Sequence, residues 1–494
     1  MKKTDSIQRK KIQLYPDYSA EIKAIDETIG SEGIEPKLLY RIINKHRYNS
    51  KFNEKLYERY KTLDESVPIF NRIPRFDESS DTVNNKLNND FFSDIVDFKV
   101  GYFAGKPVGY SYSTTKESEE MTGGEEAIDV ATKALTDFVT RNNMYDVDMQ
   151  TTKYATICGY SGRLFYIDPE GNERVMPVSP FETIVLSNTN MTEPEYAIRY
   201  YSVKDINDRT VWKVEFYDSE FIYYYEGSLS NLVFINKQPH LFDYCPLQGI
   251  PNNEELMGDA EKVLSLIDAY DRTASDSSNE IESFANSYMV FENVQINEEE
   301  IKKAQKSGAI SFFNGGGNGK VYFLTKDIND TFNENFLNRL EDNIYRFSKT
   351  PNLNDESFGS ASGISLKFKL TGLETKCGMF EAKMMSAGTY MFKLLASAWS
   401  KKKITVDPLQ CMMEFKRNFP LDVASEADTV QKLKAAGLPD EIAFKVLSFI
   451  DDIDYVMELI EAEKDSIPAL NPNELINDTN GEVNDGQGSI EEDS

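Results

Sequence analysis

The sequence predicts an α+β fold, and three observations point to it. Long stretches repeat apolar residues at helical spacing. A central stretch, Tyr160 to Tyr244, is rich in Tyr, Phe, Val and Ile and is broken by turn signals, as antiparallel strands require. The third is the run from Pro246 to Phe284, a turn-rich entry followed by one long acid-dotted helix. Its residues Val263, Ile267, Tyr270, Ala274, Ile281 and Phe284 form a thin apolar stripe. Glu261, Asp268, Asp271, Asp276, Glu280 and Glu282 stand off that stripe. At 1.5 Å per residue, Gly258 to Phe284 makes a rod of roughly 40 Å. Such a rod suits a wall built from several copies side by side, and equally a surface helix of a large monomer.

The elements follow in order. Pro36 fits the first position of a helix over Lys37–Lys45, with a second polar helix at Phe52–Lys61. Val83–Tyr102 reads as an amphipathic helix with Leu87, Phe91, Ile95 and Phe98 on one face. Gly105-Lys106-Pro107 turns it into a strand, Val108–Tyr112. Lys116–Glu126 reads as a mobile loop, then helices at Ala127–Arg141 and Val147–Cys158. Within the β-rich stretch the turn signals are Pro169–Asn172 and Glu226–Gly227, and Tyr223–Tyr225 reads as strand core. After the long helix, Asn286–Asn329 reads as a small αβ module with strands Tyr288–Phe291, Ala309–Phe313 and Lys320–Leu324 and a helix Glu298–Lys306.

A second rod starts at Thr331, where Thr331 and Glu334 have capping-box spacing, and Phe332, Phe336, Leu340, Ile344 and Phe347 form its stripe. Thr350-Pro351 ends it. Asn352–Gly363 is a small, polar loop. A third long helix runs from Ile364 or Leu373 to Ser400, with a kink expected at Gly372 and a stripe of Leu373, Cys377, Phe380, Met384, Met391, Leu395 and Ala398. Met379, Met384, Met385 and Met391 read as adaptable core packing. Met412–Arg417 reads as a strand and Ser425–Lys464 as two or three helices with a turn at Gly437–Pro439. Beyond Lys464 there is no Lys or Arg among eight acidic residues, so the tail is expected to be disordered.

Composition bounds the function. With 494 residues, 40% apolar and 28% charged, the chain can hold two to four domains with a sizeable core. No apolar run reaches a membrane-spanning length, and the basic start (Lys2, Lys3, Arg9) is not followed by the apolar region of a signal peptide, so the chain is expected to stay in the cytoplasm that makes it. Cys158, Cys245, Cys377 and Cys411 lack metal-binding spacing, and His46 and His240 add little, so buried reduced thiols are expected. A net charge of −28 argues against gripping nucleic acid through phosphates. It is compatible with a wall past which DNA slides, since a 40 Å wall faces about 24 phosphates of duplex DNA, and equally with simple solubility.

No catalytic constellation emerges, and no cofactor or metal is expected. The run before Lys320 fails the phosphate-loop spacing twice, with Asn314 in place of the first Gly and Val321 in place of the hydroxyl residue. A hairpin loop whose glycines supply positive φ is the simpler reading.

Three segments carry a resemblance. One is Asn252–Asn253–Glu254–Glu255, Gly258–Asp259, Glu261 and Leu266–Ile267–Asp268–Ala269–Tyr270; the others are Phe91 to Tyr110 and Ser362 to Lys376. In this order they resemble the portal proteins of tailed bacteriophages, of the siphovirus type, which are head-to-tail connectors and not enzymes. The resemblance implies a portal fold: an N-terminal helical arm over 1–80, a β-rich wing over 81–250, a stem helix over 251–285, an αβ clip over 286–330 and a second stem helix over 331–351. A tunnel loop over 352–363, a long kinked helix over 364–403, a wing return strand over 404–424, a helical crown over 425–464 and an acidic tail over 465–494 complete it.

The same resemblance implies a ring of twelve copies at one vertex of the virion, assembled in the host bacterial cytoplasm, through which double-stranded DNA is packaged, retained and ejected. The implied partners are the terminase large subunit, a head-completion adaptor, the major capsid protein and scaffold, with no membrane. Channel-lining candidates are Glu261, Asp268, Asp271, Asp276, Glu280 and Glu282. DNA-facing candidates are Asn354, Asp355, Glu356, Ser357, Phe358, Gly359, Ser360 and Ser362, with Lys367 and Lys369 as rare positive charges beyond them. Clip candidates for a partner surface are Tyr288, Val290, Phe291, Phe312 and Phe313. A ring-forming adaptor of the head or tail that does not conduct DNA is the alternative.

Overall fold

Alternating apolar residues make the sheet face that the first helices cover. In the computed structural model, which describes residues 17–63, 65–73, 83–113, 125–285, 288–292, 299, 320–324, 330–353, 363–419, 423–447, 450 and 453–466, helices α1 (Ser19–Thr28) and α2 (Pro36–Tyr60) pack on a five-stranded antiparallel sheet. Its order is β4 (Thr183–Leu186), β5 (Tyr196–Lys204), β6 (Thr210–Tyr217), β7 (Phe221–Ser228) and β8 (Asn231–Pro239). Ile22, Ile25, Leu39, Ile42 and Ile43 meet Ile184, Ile198, Val214, Phe216, Tyr223 and Tyr225 in one core. The two short helices expected at 37–61 are one helix, because Ser50 is buried beside the Tyr200 hydroxyl and so does not break it. The turn expected at Glu226–Gly227 lies three residues later, at Leu229–Ser230. Gly227 sits inside β7 at φ +138 and pairs with Leu232, and Ser228 faces Asn231 across the hairpin.

A second sheet runs β3 (Glu173–Val178), β2 (Tyr160–Ile167), β9 (Leu247–Pro251), all antiparallel. Helices α4 (Glu125–Arg141) and α5 (Met144–Cys158) lead into it. The strand β12 (Cys411–Glu414) returns to pair with β1 (Gly109–Tyr112). Between β9 and β12 lie the long helices. These are α6 (Leu264–Ala285), entered through a 3₁₀ turn at Glu261–Val263, then α7 (Asp330–Ser348) and α8 (Gly363–Lys401). β10 (Tyr288–Glu292), which follows α6, pairs with β11 (Lys320–Leu324), which precedes α7. Ile344 near the end of α7 packs with Val263 and Ile267 at the start of α6, so the two helices run antiparallel.

Two expectations change here. The helix expected from Val83 begins only at Phe91, as α3 (Phe91–Ala104). α7 starts at Asp330, which puts Thr331 inside the helix and not at its cap. α8 is one continuous helix through Gly372, where a Cβ would stand 3.3 Å from Lys349 Cβ, so this glycine serves a close approach. Its expected stripe is buried throughout, from Leu373 to Ala398, whereas Met379 and Met385 are about half exposed. All four cysteines are buried and unbridged. Helix outweighs strand, 51% to 19%, consistent with α+β.

Residues Phe419–Ser494 form a separate unit. It holds α9 (Val423–Ala435), α10 (Asp440–Phe444) and α11 (Ile453–Ser466), with Gly437 at φ +89 closing α9. The tail beyond residue 466 lies outside the described residues.

Candidate functional site

The asparagine-rich turn before the first long helix is rigid because its side chains replace backbone partners. Asn253 Oδ1 accepts from Met257 N at 2.9 Å, its amide donates to Met257 O at 2.8 Å, and Gly258 N donates to Glu261 Oε1 at 2.6 Å. The last of these is the reach-back of an acid in a first helical turn. The turn interlocks with the end of α5. Gly159 has φ +91, and a Cβ there would lie 2.0 Å from Leu256 O, while one on Gly258 would lie 2.1 Å from Ile157 O. Only glycine fits either place.

Beneath this turn lies a buried charge cluster. Lys99 Nζ donates to Asn252 Oδ1 at 2.6 Å and stands 3.3 Å from Asp259 Oδ1, while Lys376 Nζ lies 2.7 Å from Asp259 Oδ2. Asn252 also donates to Asp259 Oδ1 at 2.7 Å, and Lys376 donates to Ser348 O at 2.7 Å. Burial alone would raise the Asp259 carboxyl. The two ammonium groups and these hydrogen bonds overcome it and hold the carboxyl at about 2. Burial lowers Lys376. The sequence reading missed Lys99 and Lys376. The signal was there, because each lysine sits on an apolar helical stripe, Lys99 with Ile95, Val96 and Phe103 and Lys376 with Leu373, Cys377 and Phe380.

The acids of α6 are not a bare face. Residues 83–90 lie extended along the helix and run antiparallel to it. Asn85 N donates to Asn279 Oδ1 at 2.6 Å, Leu87 N to Ser275 Oγ at 2.9 Å and Asn89 N to Asp271 Oδ1 at 2.8 Å. Two extended residues rise about 6.6 Å and four helical residues about 6 Å, so every second amide meets every fourth side chain. This match explains why 83–90 does not join α3: its amide donors are taken by α6. Asp268 is buried with Arg59, Nη2 to Oδ1 at 2.6 Å, and Asp276 pairs with Arg72.

Two of the six channel-lining candidates, Asp268 and Asp271, lie inside the chain. Their exposures are 8% and 1%. Glu282 is exposed and accepts from Asn85 Nδ2 at 2.8 Å; Glu280 and Glu261 are half-buried. The stripe splits as well. Val263 and Ile267 are buried, but Ile281 is 68% exposed, and on α7 Phe332 and Phe336 are exposed and stacked on each other at 6.4 Å.

Of the other candidates, residues 354–362 lie outside the described residues, and with them Asn354, Asp355, Glu356, Ser357, Phe358, Gly359, Ser360 and Ser362. Lys367 and Lys369 lie in the first turns of α8, with Lys369 half-buried. Tyr288, Val290 and Phe291 lie in β10, opposite Leu324, Tyr322 and Val321. Phe312 and Phe313 lie outside the described residues, as do the strand expected around them and all of the expected helix but Glu299. Among the described residues no group of acids, histidines or cysteines could hold a metal ion, and no helix is long and apolar enough to cross a membrane.

A body of sheets from which two long antiparallel helices emerge, joined beyond by a strand pair, belongs here to a structural protein of the phage head-to-tail connector class. Residues 39–468 match the family described as phage portal protein, SPP1 Gp6-like, and the chain belongs to that family. It is similar to the portal protein of Clostridium phage phiCD119, 23% identical over 431 residues that cover 83% of this chain and 90% of the relative. It is also similar to the portal protein of Bacillus phage SPP1, 23% identical over 424 residues, 81% of this chain and 80% of the relative.

Proposed function

We propose that copies of this chain assemble into a ring of twelve at one vertex of the phage head, forming the conduit for double-stranded DNA during packaging, retention and ejection. The family match over residues 39–468 carries this reading. In it, α6 and α7 are stem helices, β10 and β11 belong to the clip, 81–250 is the wing with 404–424 returning to it, 352–363 is the tunnel loop and 425–464 the crown. The exposed Ile281 and Phe336, at the ends of α6 and α7 remote from the core, support side-by-side packing of copies, because apolar side chains at helix ends gain by mutual burial.

The burial of Asp268 and Asp271 moves the channel-facing charge to Glu280, Glu282 and the tunnel-loop region with Lys367 and Lys369. The clip would dock the terminase large subunit and later a head-completion adaptor. The wing would meet the major capsid protein and scaffold. The test is a phage lacking this chain: heads are expected to form but to hold no genome. Heads that fill with DNA in its absence would overturn the reading.

A further inference from the structure

The buried cluster beneath the motif turn does not balance its own charge. Lys99 and Lys376 share one carboxylate, Asp259, and their exposures are 1% and 14% against 2% for the acid. Two ammonium groups against one carboxylate leave one positive charge in a poorly solvated place, which is costly unless something answers it. A cavity of about 90 Å³ adjoins the cluster and opens to the surface. Lys262 and Lys349 stand at its rim, both exposed, with Glu255 as the one acid there.

We propose that this cavity binds a phosphate-class oxyanion between Lys99 and Lys376 at its floor and Lys262 and Lys349 at its rim. The chemistry suits it. Four lysines line the cavity, an ammonium donates charge-assisted hydrogen bonds to a tetrahedral anion, and the Asn252 amide holds the floor lysine and the acid in place. Attraction by the protein as a whole is not the cause, because the chain carries −28. The site is therefore local and saturable. The same oxygens occur on free phosphate and on a DNA phosphodiester. The proposal does not depend on ring formation.

Calorimetric titration of the full-length protein with inorganic phosphate, at constant ionic strength in chloride, tests it. One saturable site per chain is expected, weakened by about tenfold or more in the double variant Lys262→Gln/Lys349→Gln, whose melting temperature in chloride should be unchanged. Glu255→Gln should bind more tightly than the natural chain. No saturable heat, or equal affinity in all three proteins, would overturn the proposal. A second arm titrates a short DNA duplex: competition by inorganic phosphate identifies the occupant as a phosphodiester, and binding of phosphate without such competition identifies it as the free anion.

Discussion

Arg59 on α2 donates to Asp268 on α6 at 2.6 Å, and both side chains are buried, at 3% and 7% exposure. The guanidinium also lies 5.9 Å from the Phe92 ring centroid, so one side chain ties together α2, α3 and α6. This pair fastens the base of the long helix to the body of the chain.

Removing one partner strands the other. Arg59→Met should destabilise the main unit by about 3–5 kcal/mol, because an isolated buried carboxylate is left. The double variant Arg59→Met/Asp268→Leu should recover most of that loss. Urea midpoints of the three proteins measure both effects, and a double variant no better than the single would contradict the buried-pair account.

Asp271 makes a different prediction. Burial raises its carboxyl to about 6, partly offset by the Asn89 hydrogen bonds and Arg59, with Asp268 adding to the rise. The unfolded value is about 3.9. The folded chain thus holds the proton more tightly, and this group's contribution to stability is largest below pH 4 and is lost as pH rises to 6. Asp271→Asn keeps an acceptor for Asn89 and should flatten the stability profile between pH 4 and 6. It should leave the protein at least as stable as the natural chain at pH 7.

His46 has the opposite sign. It is buried between two hydroxyls, with Nδ1 2.9 Å from Tyr200 and Nε2 2.9 Å from Tyr160. Since Tyr160 donates to Pro180 O at 2.6 Å, Nε2 donates and Nδ1 accepts. Burial lowers its pKa to about 3. The unfolded histidine takes a proton near pH 6.5 and the folded one does not, so stability falls as pH drops from 6.5 toward 3, by up to about 1.4 kcal/mol per unit. His46→Gln should remove this component from denaturation curves measured at pH 4 to 7.

Lys367 and Lys369 open α8 beside the stretch read as the tunnel loop. Changing both to Glu should leave oligomer size intact and reduce the DNA held per particle, read as full against empty heads. Full heads at the natural yield would refute a DNA-facing role.

The helices and the β-rich region were legible because their apolar periods are long and uninterrupted, as in the stripe from Leu373 to Ala398. What failed was decided by contacts between distant segments. Residues 83–90 carry a helix-like pattern at Leu87 and Phe91, yet Asp271, Ser275 and Asn279 take their amides. The acids of α6 look solvated in a chain with 82 acidic residues, and it is Arg59 and Asn89, some 180 to 210 positions away, that meet the buried Asp268 and Asp271. At the motif turn, the family resemblance marked Asn252 and Asp259, but not the two lysines from α3 and α8 that meet them.

The most direct test of the central claim is cryo-electron microscopy of the purified full-length protein, read as top views. Closed rings of twelve copies with a hole wide enough for duplex DNA are the expected result. A protein that remains monomeric at micromolar concentration, both alone and with scaffold, would contradict it.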